Sequence, residues 1–341
     1  MKALLLTLIL SLSFSCGAQD FAEAIKTALA DSQPTDLAVQ GSDKNWFFLR
    51  KELEHLQQGD LAAADFTKAN KEGTDPLPVI TKYQEELKAL GIELLVVPVP
   101  AKAAIYPEKF NDKVDVKTVP SMAGFYAKLK AAGVNVLDLE TVFKDDRAKN
   151  PGQQLYCATD SHWSPHACQL VAKLIADYCV APPLSIPKAS TDLITLKEEP
   201  LEFYGDLLSA AQKATLPKES LPYVRAGISN NNGTQVLTAN SEPSSPVLVI
   251  GDSHLQIFRK GGNMLATLGG LIDHFQVDLA SPVEEITMQA GGADGPRVEI
   301  ARTTSKNPDY WKNKKVVIWV FTSREFTQGK WRVIPAKVIK K

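Results

Sequence analysis

Val247-Leu248-Val249-Ile250-Gly251-Asp252-Ser253-His254 is the stretch on which the reading of this chain turns. The apolar run at its start is too short for a helix and rich in β-branched residues, the pattern of a strand buried on both faces of a parallel sheet. It leads straight into Gly-Asp-Ser and then a helical pattern. A serine so placed sits at the carboxyl end of a strand and beside a helix N-terminus, where free backbone N–H groups can hold an oxyanion. Gly-Asp-Ser by itself is a common turn that caps helices. It is the strand in front of it that makes Ser253 a candidate nucleophile.

Outward from this stretch the same grammar recurs. Pro78 to Ala89 has helical periodicity, stops at Leu90-Gly91, and is followed by the apolar strand Ile92 to Val99. Met122 to Ala132 reads as a helix stopped by Gly133 before the strand Val134 to Leu137, and Tyr310 to Lys315 leads into Val316 to Phe321. Helices alternating with short continuous strands predict an α/β three-layer sandwich with a mainly parallel sheet. Catalytic groups in such sheets gather at the strands' carboxyl ends. Residues 182–246 lack this grammar and carry clustered prolines and Asn230-Asn231-Asn232-Gly233. They read as an irregular insertion that either shapes a substrate groove or decorates the surface.

A second stretch supplies what a serine needs. In Cys157-Ala158-Thr159-Asp160-Ser161-His162-Trp163-Ser164-Pro165, Ser164 is a natural N-cap with Pro165 at the first helical position. Ala167, Leu170, Val171, Leu174, Ile175 and Tyr178 form an apolar face behind it. In an extended segment Asp160 and His162 point to one side. A serine hydroxyl is a poor nucleophile at neutral pH without a base, and an aspartate that fixes the histidine's tautomer completes a triad. His162 is therefore the candidate base, with Asp160 behind it. A rival metal site would use His162, His166, Asp160, Cys157 and Cys168, but Pro165 and the helix start between the histidines disturb the single face that an i, i+4 ligand pair needs. No metal and no cofactor are expected. His55, His254 and His274 read as structural, the last beside an expected strand.

Composition bounds the rest. Among 341 residues, 38 basic side chains nearly balance 39 acidic ones, so no strong field draws nucleic acid or an anionic membrane. Met1-Lys2, the apolar run Ala3 to Leu12 and the small residues Cys16-Gly17-Ala18 read as a signal peptide, residues 1–18, cleaved after Ala18. The run is shorter than the roughly 20 residues of a spanning helix. Cys16 offers a lipoprotein as the minor alternative, with Leu12 one position too far upstream for a good lipobox. Residues 19–341 are then one periplasmic domain, large enough to bury about 75% of its unfolded surface. Export leaves Cys157, Cys168 and Cys179. An oxidising compartment suits one bridge and one free thiol. Cys168 and Cys179 stand about 16 Å apart along a helix, so any bridge uses Cys157.

The chain resembles the alginate O-acetyltransferases of the AlgJ and AlgX type, whose domain is a permuted relative of the SGNH hydrolases. The resemblance rests on Asp160-Ser161-His162-Trp163-Ser164 and Gly251-Asp252-Ser253, with support from three further segments: Trp46-Phe47-Phe48-Leu49, Val97-Pro98-Val99-Pro100-Ala101-Lys102 with Tyr106-Pro107, and Val317-Ile318-Trp319 with Arg324. As in that family, the Asp-His motif precedes the serine. The resemblance implies an SGNH hydrolase-like fold and an exported enzyme in which Ser253 takes an acetyl group and passes it to a sugar hydroxyl. It implies His162 as base then acid, Asp160 as its orienter, and a monomer served by a membrane-bound O-acyltransferase as acetyl donor. The acceptor would be an exopolysaccharide such as alginate. Arg324, Lys102 and Trp163 are the substrate-contact candidates, each with a plainer alternative: a salt bridge, an exposed loop side chain, a core tryptophan. An acetylesterase uses the same three residues, and a binding scaffold would have lost at least one of them. The Gly-x-Asn-Asp segment of ordinary SGNH hydrolases is missing, which leaves the Ser253 N–H as the one oxyanion donor that can be named.

Overall fold

The structure is a computed structural model that describes residues 19–190 and 192–337. The expected signal peptide and its alternative at Cys16 lie outside the described residues. No described helix is long and apolar enough to cross a membrane.

Five strands form the central sheet: β1 (Glu93–Val99), β2 (Asn135–Val136), β3 (Val247–Gly251), β4 (Glu284–Thr287) and β5 (Val316–Thr322). They run in the order β4-β3-β5-β1-β2, and every neighbouring pair is parallel. All of β3 and β5 is buried. Alternation assigns the two faces. Val247, Val249, Ile318, Val320, Leu95 and Val97 pack on one side with helices Pro165–Val180 and Leu271–Leu279. Leu248, Ile250, Val317, Trp319, Leu94 and Val96 pack on the other with helices Pro76–Ala89, Ala123–Ala131 and Asp294–Lys306. This is the expected three-layer sandwich. β3, β5 and β1 beyond Glu93 read as apolar runs because both of their faces are covered, whereas the edge strands β4 and β2 carry Glu284, Glu285 and Asn135.

Four local expectations need correction. The pattern after Ser253 makes only a single 3-10 turn, Ser253–Leu255, and the chain is left-handed at Phe258, Gly261 and Gly262. His274 lies in a helix, not beside a strand. The stripe of helix Pro165–Val180 that is buried runs through Ala167, Cys168, Val171, Ala172, Ile175, Ala176 and Cys179, while Leu170, Leu174 and Tyr178 are half-buried. Small side chains let helix Leu271–Leu279 approach closely, so they take the interior positions. All three cysteines are free and buried, and Cys157 Sγ faces the Trp163 carbonyl at 3.5 Å rather than another sulfur.

The insertion is also more regular than its prolines suggest. Glu199–Phe203 pairs antiparallel with Glu219–Tyr223, and Leu193–Thr195, Ala226–Asn230 and Gln235–Leu237 make a second small sheet. Pro200 sits opposite Pro222. In a two-stranded sheet both strands are edges, where a missing N–H is tolerated.

Candidate active site

β3 ends at Gly251, where a Cβ would lie 2.3 Å from the Val320 carbonyl oxygen and 2.7 Å from Leu255 Cδ1. Only glycine lets the chain turn this close to β5 and present Ser253 above the sheet. The Asp252 carboxylate accepts the His254 N–H at 2.9 Å and caps the turn. Of the two N–H groups following Asp252, that of Ser253 is the one not engaged by the cap.

His162 arrives from a loop closed at its base by hydrogen bonds from Cys157 N–H to the His162 carbonyl (3.2 Å) and from Ser164 N–H to the Leu155 carbonyl (2.9 Å). Ser164 Oγ accepts the Ala167 N–H at 3.1 Å and starts the helix at Pro165, as its sequence predicts. Asp160 and His162 reach the same side by a turn rather than an extended segment: the His162 N–H donates to Asp160 Oδ1 at 3.0 Å. His162 Nδ1 lies 2.6 Å from the same oxygen, and Nε2 lies 2.8 Å from Ser253 Oγ. With Nδ1–H donating to the carboxylate, Nε2 is left to accept the serine proton.

Charge supports this arrangement. Burial opposes ionisation of Asp160, but the His162 hydrogen bond and charge and the N–H groups of Asp206 and His162 outweigh it, and the carboxyl lies below its usual range. For His162, burial favours the neutral ring, yet the hydrogen bond and charge of Asp160, with Asp206 and Asp252 behind, raise its pKa above the ordinary value. Such a ring takes up a serine proton readily.

Ser253 opens into a cleft of about 710 Å³ whose walls include Arg324, Lys51, Lys71, Arg332 and Met288. Arg324 is half-buried, with Nη1 3.4 Å from Glu52 Oε1, so it both lines the cleft and closes a salt bridge. Lys102 and Trp163 have no surface to offer a sugar. Lys102 is 0% exposed, and its Nζ donates to the carbonyls of Phe47 (2.8 Å), Ala158 (3.4 Å) and Asp160 (2.6 Å). The three donors of an ammonium thus hold the Asp160 loop from behind. Trp163 is equally buried, its indole N–H donating to the His254 carbonyl at 3.1 Å. His166 turns away to Asp146, 2.9 Å off, so the two histidines of the rival metal site do not converge. Asp160, His162 and Asp206 bring ligand atoms within 4.8 Å of one another, but these atoms are engaged in the hydrogen bonds of the turn.

The spacing of the motifs does not reveal the residues that frame the loop from the insertion. Glu219 accepts the N–H groups of Ala158 (2.7 Å) and Thr159 (2.9 Å) and the Thr159 hydroxyl (2.7 Å). Gly205 fits where a Cβ would meet the Thr159 carbonyl oxygen at 2.1 Å. The N–H of Asp206 donates to Asp160 Oδ2 at 2.9 Å. The one hint in the sequence is Gly205-Asp206, a turn pair inside a proline-rich segment.

Fold and constellation together define an α/β protein of the SGNH hydrolase type with a serine, a histidine and an aspartate in hydrogen-bonded sequence. Residues 38–323 match the family described as SGNH hydrolase-like domain, acetyltransferase AlgX, and the chain belongs to that family. Among its relatives are the probable alginate O-acetylases AlgJ of Pseudomonas fluorescens, 28% identical over 54% of this chain and 47% of that protein, and of Pseudomonas aeruginosa, 31% identical over 54% and 43%. The chain therefore matches about half the length of these relatives. The solved O-acetyltransferase domain of Pseudomonas putida AlgJ shares the fold with a TM-score of 0.60 at 21% identity, over 85% of this chain and 92% of that one.

Proposed function

We propose that this chain is an exported O-acetyltransferase acting through an acetyl-Ser253 intermediate on hydroxyls of an exopolysaccharide such as alginate. The observation that carries the reading is the hydrogen-bonded line from Asp160 through His162 to Ser253 Oγ, 2.6 and 2.8 Å, at the floor of an open cleft. Ser253 Oγ attacks the acetyl carbonyl as its proton passes to His162 Nε2. The developing oxyanion is met by the Ser253 N–H. Collapse breaks the bond to the donor's oxygen, which leaves with the proton from Nε2. A sugar hydroxyl then attacks the acetyl-serine and gives its proton to Nε2. When the Ser253 Oγ–carbon bond breaks, that proton returns to Oγ and the site is restored. The names of the relatives support alginate as acceptor, and a periplasmic site of action with a membrane-bound acyltransferase as acetyl donor belongs to the same proposal. The enzyme works as a monomer without a cofactor.

The test is incubation with a small acetyl ester and oligouronate or glucan chains, followed by mass spectrometry. Acetylated oligosaccharide is expected, and none with Ser253→Ala. Free acetate released at one rate with or without sugar would replace the transferase by an esterase, and wild-type turnover by the Ser253→Ala protein would remove Ser253 from the chemistry.

A further inference from the structure

The insertion brings a second carboxylate to the imidazole. Asp206 follows strand Glu199–Phe203, and its carboxylate grips Ser161 twice, accepting from the N–H and from Oγ, each at 2.7 Å. Its own N–H holds Asp160 Oδ2 at 2.9 Å, and its Oδ2 stands 4.0 Å from His162 Nδ1. One residue therefore touches all three members of the Asp160-Ser161-His162 turn. Asp160 Oδ1 already receives two donors from His162, so Oδ2 needs a donor of its own to keep the carboxylate plane fixed.

We propose that Asp206 is a positioning residue, one that straps the Asp160-Ser161-His162 turn and holds a second negative charge against the His162 imidazole. This rests on the reading of His162 as the base. During acyl transfer the ring becomes an imidazolium, and a carboxylate 4.0 Å from Nδ1 stabilises that form. Part of this is screened, because the Asp206 side chain is 42% exposed. The other groups that face the ring are Asp160 on its own loop, Asp252 and His254 after β3, and Glu52 on helix Arg50–Leu56, the last paired with Arg324. Asp160, Asp252 and Asp206 all raise the ring's pKa, and of these Asp206 alone comes from the insertion.

Two substitutions separate strap from charge. Asp206→Asn keeps an acceptor for the Ser161 N–H and a polar group for its hydroxyl but removes the charge. Asp206→Ala removes both. The titration of His162 is followed by imidazole NMR in the full chain, alongside pH profiles of kcat/KM for a small acetyl ester. With either variant the His162 midpoint moves to lower pH, since loss of a nearby negative charge weakens proton binding, and the acidic limb of the profile moves with it. The plateau kcat stays within a few-fold for Asp206→Asn and falls about tenfold for Asp206→Ala, with KM unchanged. An unmoved His162 midpoint in both variants, or wild-type kcat for Asp206→Ala, overturns the inference. The NMR arm needs no turnover, so it judges Asp206 even if Ser253→Ala proves as active as wild type and the acyl-enzyme reading falls.

Discussion

The chain contains the tripeptide Asp-Ser-His twice, as Asp160-Ser161-His162 and Asp252-Ser253-His254, and the two copies face each other across the site. Locally they are alike. In each, the histidine N–H donates to the aspartate Oδ1, at 3.0 and 2.9 Å. Their surroundings differ. Ser161 Oγ is taken by Asp206, whereas Ser253 Oγ meets His162 Nε2 and the cleft. His162 lies 2.6 Å from its aspartate, and His254 lies 3.2 Å from its own. The two rings touch, with centroids 4.8 Å apart, yet their proton affinities move in opposite directions. Burial lowers the pKa of His254 despite Asp252, and the charges of His162 and Arg324 push the same way. On the proposed mechanism the histidine of one copy acts and the serine of the other, and it is their neighbours that differ, not the tripeptide.

The largest expected break in this symmetry is between the serines. Ser253→Ala should lower acetyl-ester turnover by at least about 10⁴-fold, and Ser161→Ala by no more than about tenfold, in steady-state assays of folded protein. Equal losses would mean that the copies are functionally equivalent. The histidines should differ almost as much. His162→Ala is expected to cost on the order of 10⁴-fold in kcat, while His254→Phe, which keeps a ring between His162 and Trp163, should cost about tenfold.

Lys102 probes the framework of one copy alone, since its Nζ holds the Asp160 carbonyl and nothing in the Ser253 turn. Lys102→Met leaves buried carbonyls without their donor and should reduce unfolding free energy by about 3 kcal/mol, read from urea denaturation. An unchanged urea midpoint would mean the loop holds its shape without the lysine.

The smallest effect is on stability against pH. A histidine whose folded pKa is raised contributes stability that is full below its unfolded pKa of about 6.5 and fades as pH rises through the folded value. His162 is of this kind. His254 is the opposite: below about 6.5 the unfolded chain takes a proton that the folded one refuses, so acid costs stability. On passing from neutral to mildly acid pH, the urea midpoint of His254→Phe should therefore fall less than wild type, and that of His162→Gln should fall more. Parallel curves for the three proteins would show that the rings do not differ in this way.

Much of this is legible in the sequence. Val247 to Ile250 and Val316 to Phe321 could only be two-sided strands, because apolar runs so short and so β-branched have no other stable burial. Ser164-Pro165 marked a helix start to the residue, because the cap is a local bond between neighbours. The Asp160-x-His162 spacing and the serine after β3 pointed to each other through the chemistry that a serine requires. The buried lysine was not legible. Lys102 follows a strand and reads as an exposed loop residue, and only the carbonyls of Phe47, Ala158 and Asp160, remote in sequence, make a fully buried ammonium tenable.

The sequence by itself determined four of the five sheet strands, all but Glu284–Thr287, and the pairing of a serine with an Asp-His motif, since each depends on local periodicity or on the chemistry of single side chains. The tertiary structure alone decided what surrounds each Asp-Ser-His: Asp206 on Ser161 Oγ in one, and His162 Nε2 on Ser253 Oγ in the other. It also made the insertion, which by sequence either shapes a groove or decorates the surface, part of the frame of the site through Gly205, Asp206 and Glu219. Those assignments rest on hydrogen bonds between residues 45 to 91 positions apart. Spacing cannot encode contacts of that range, because they exist only once the chain has closed on itself.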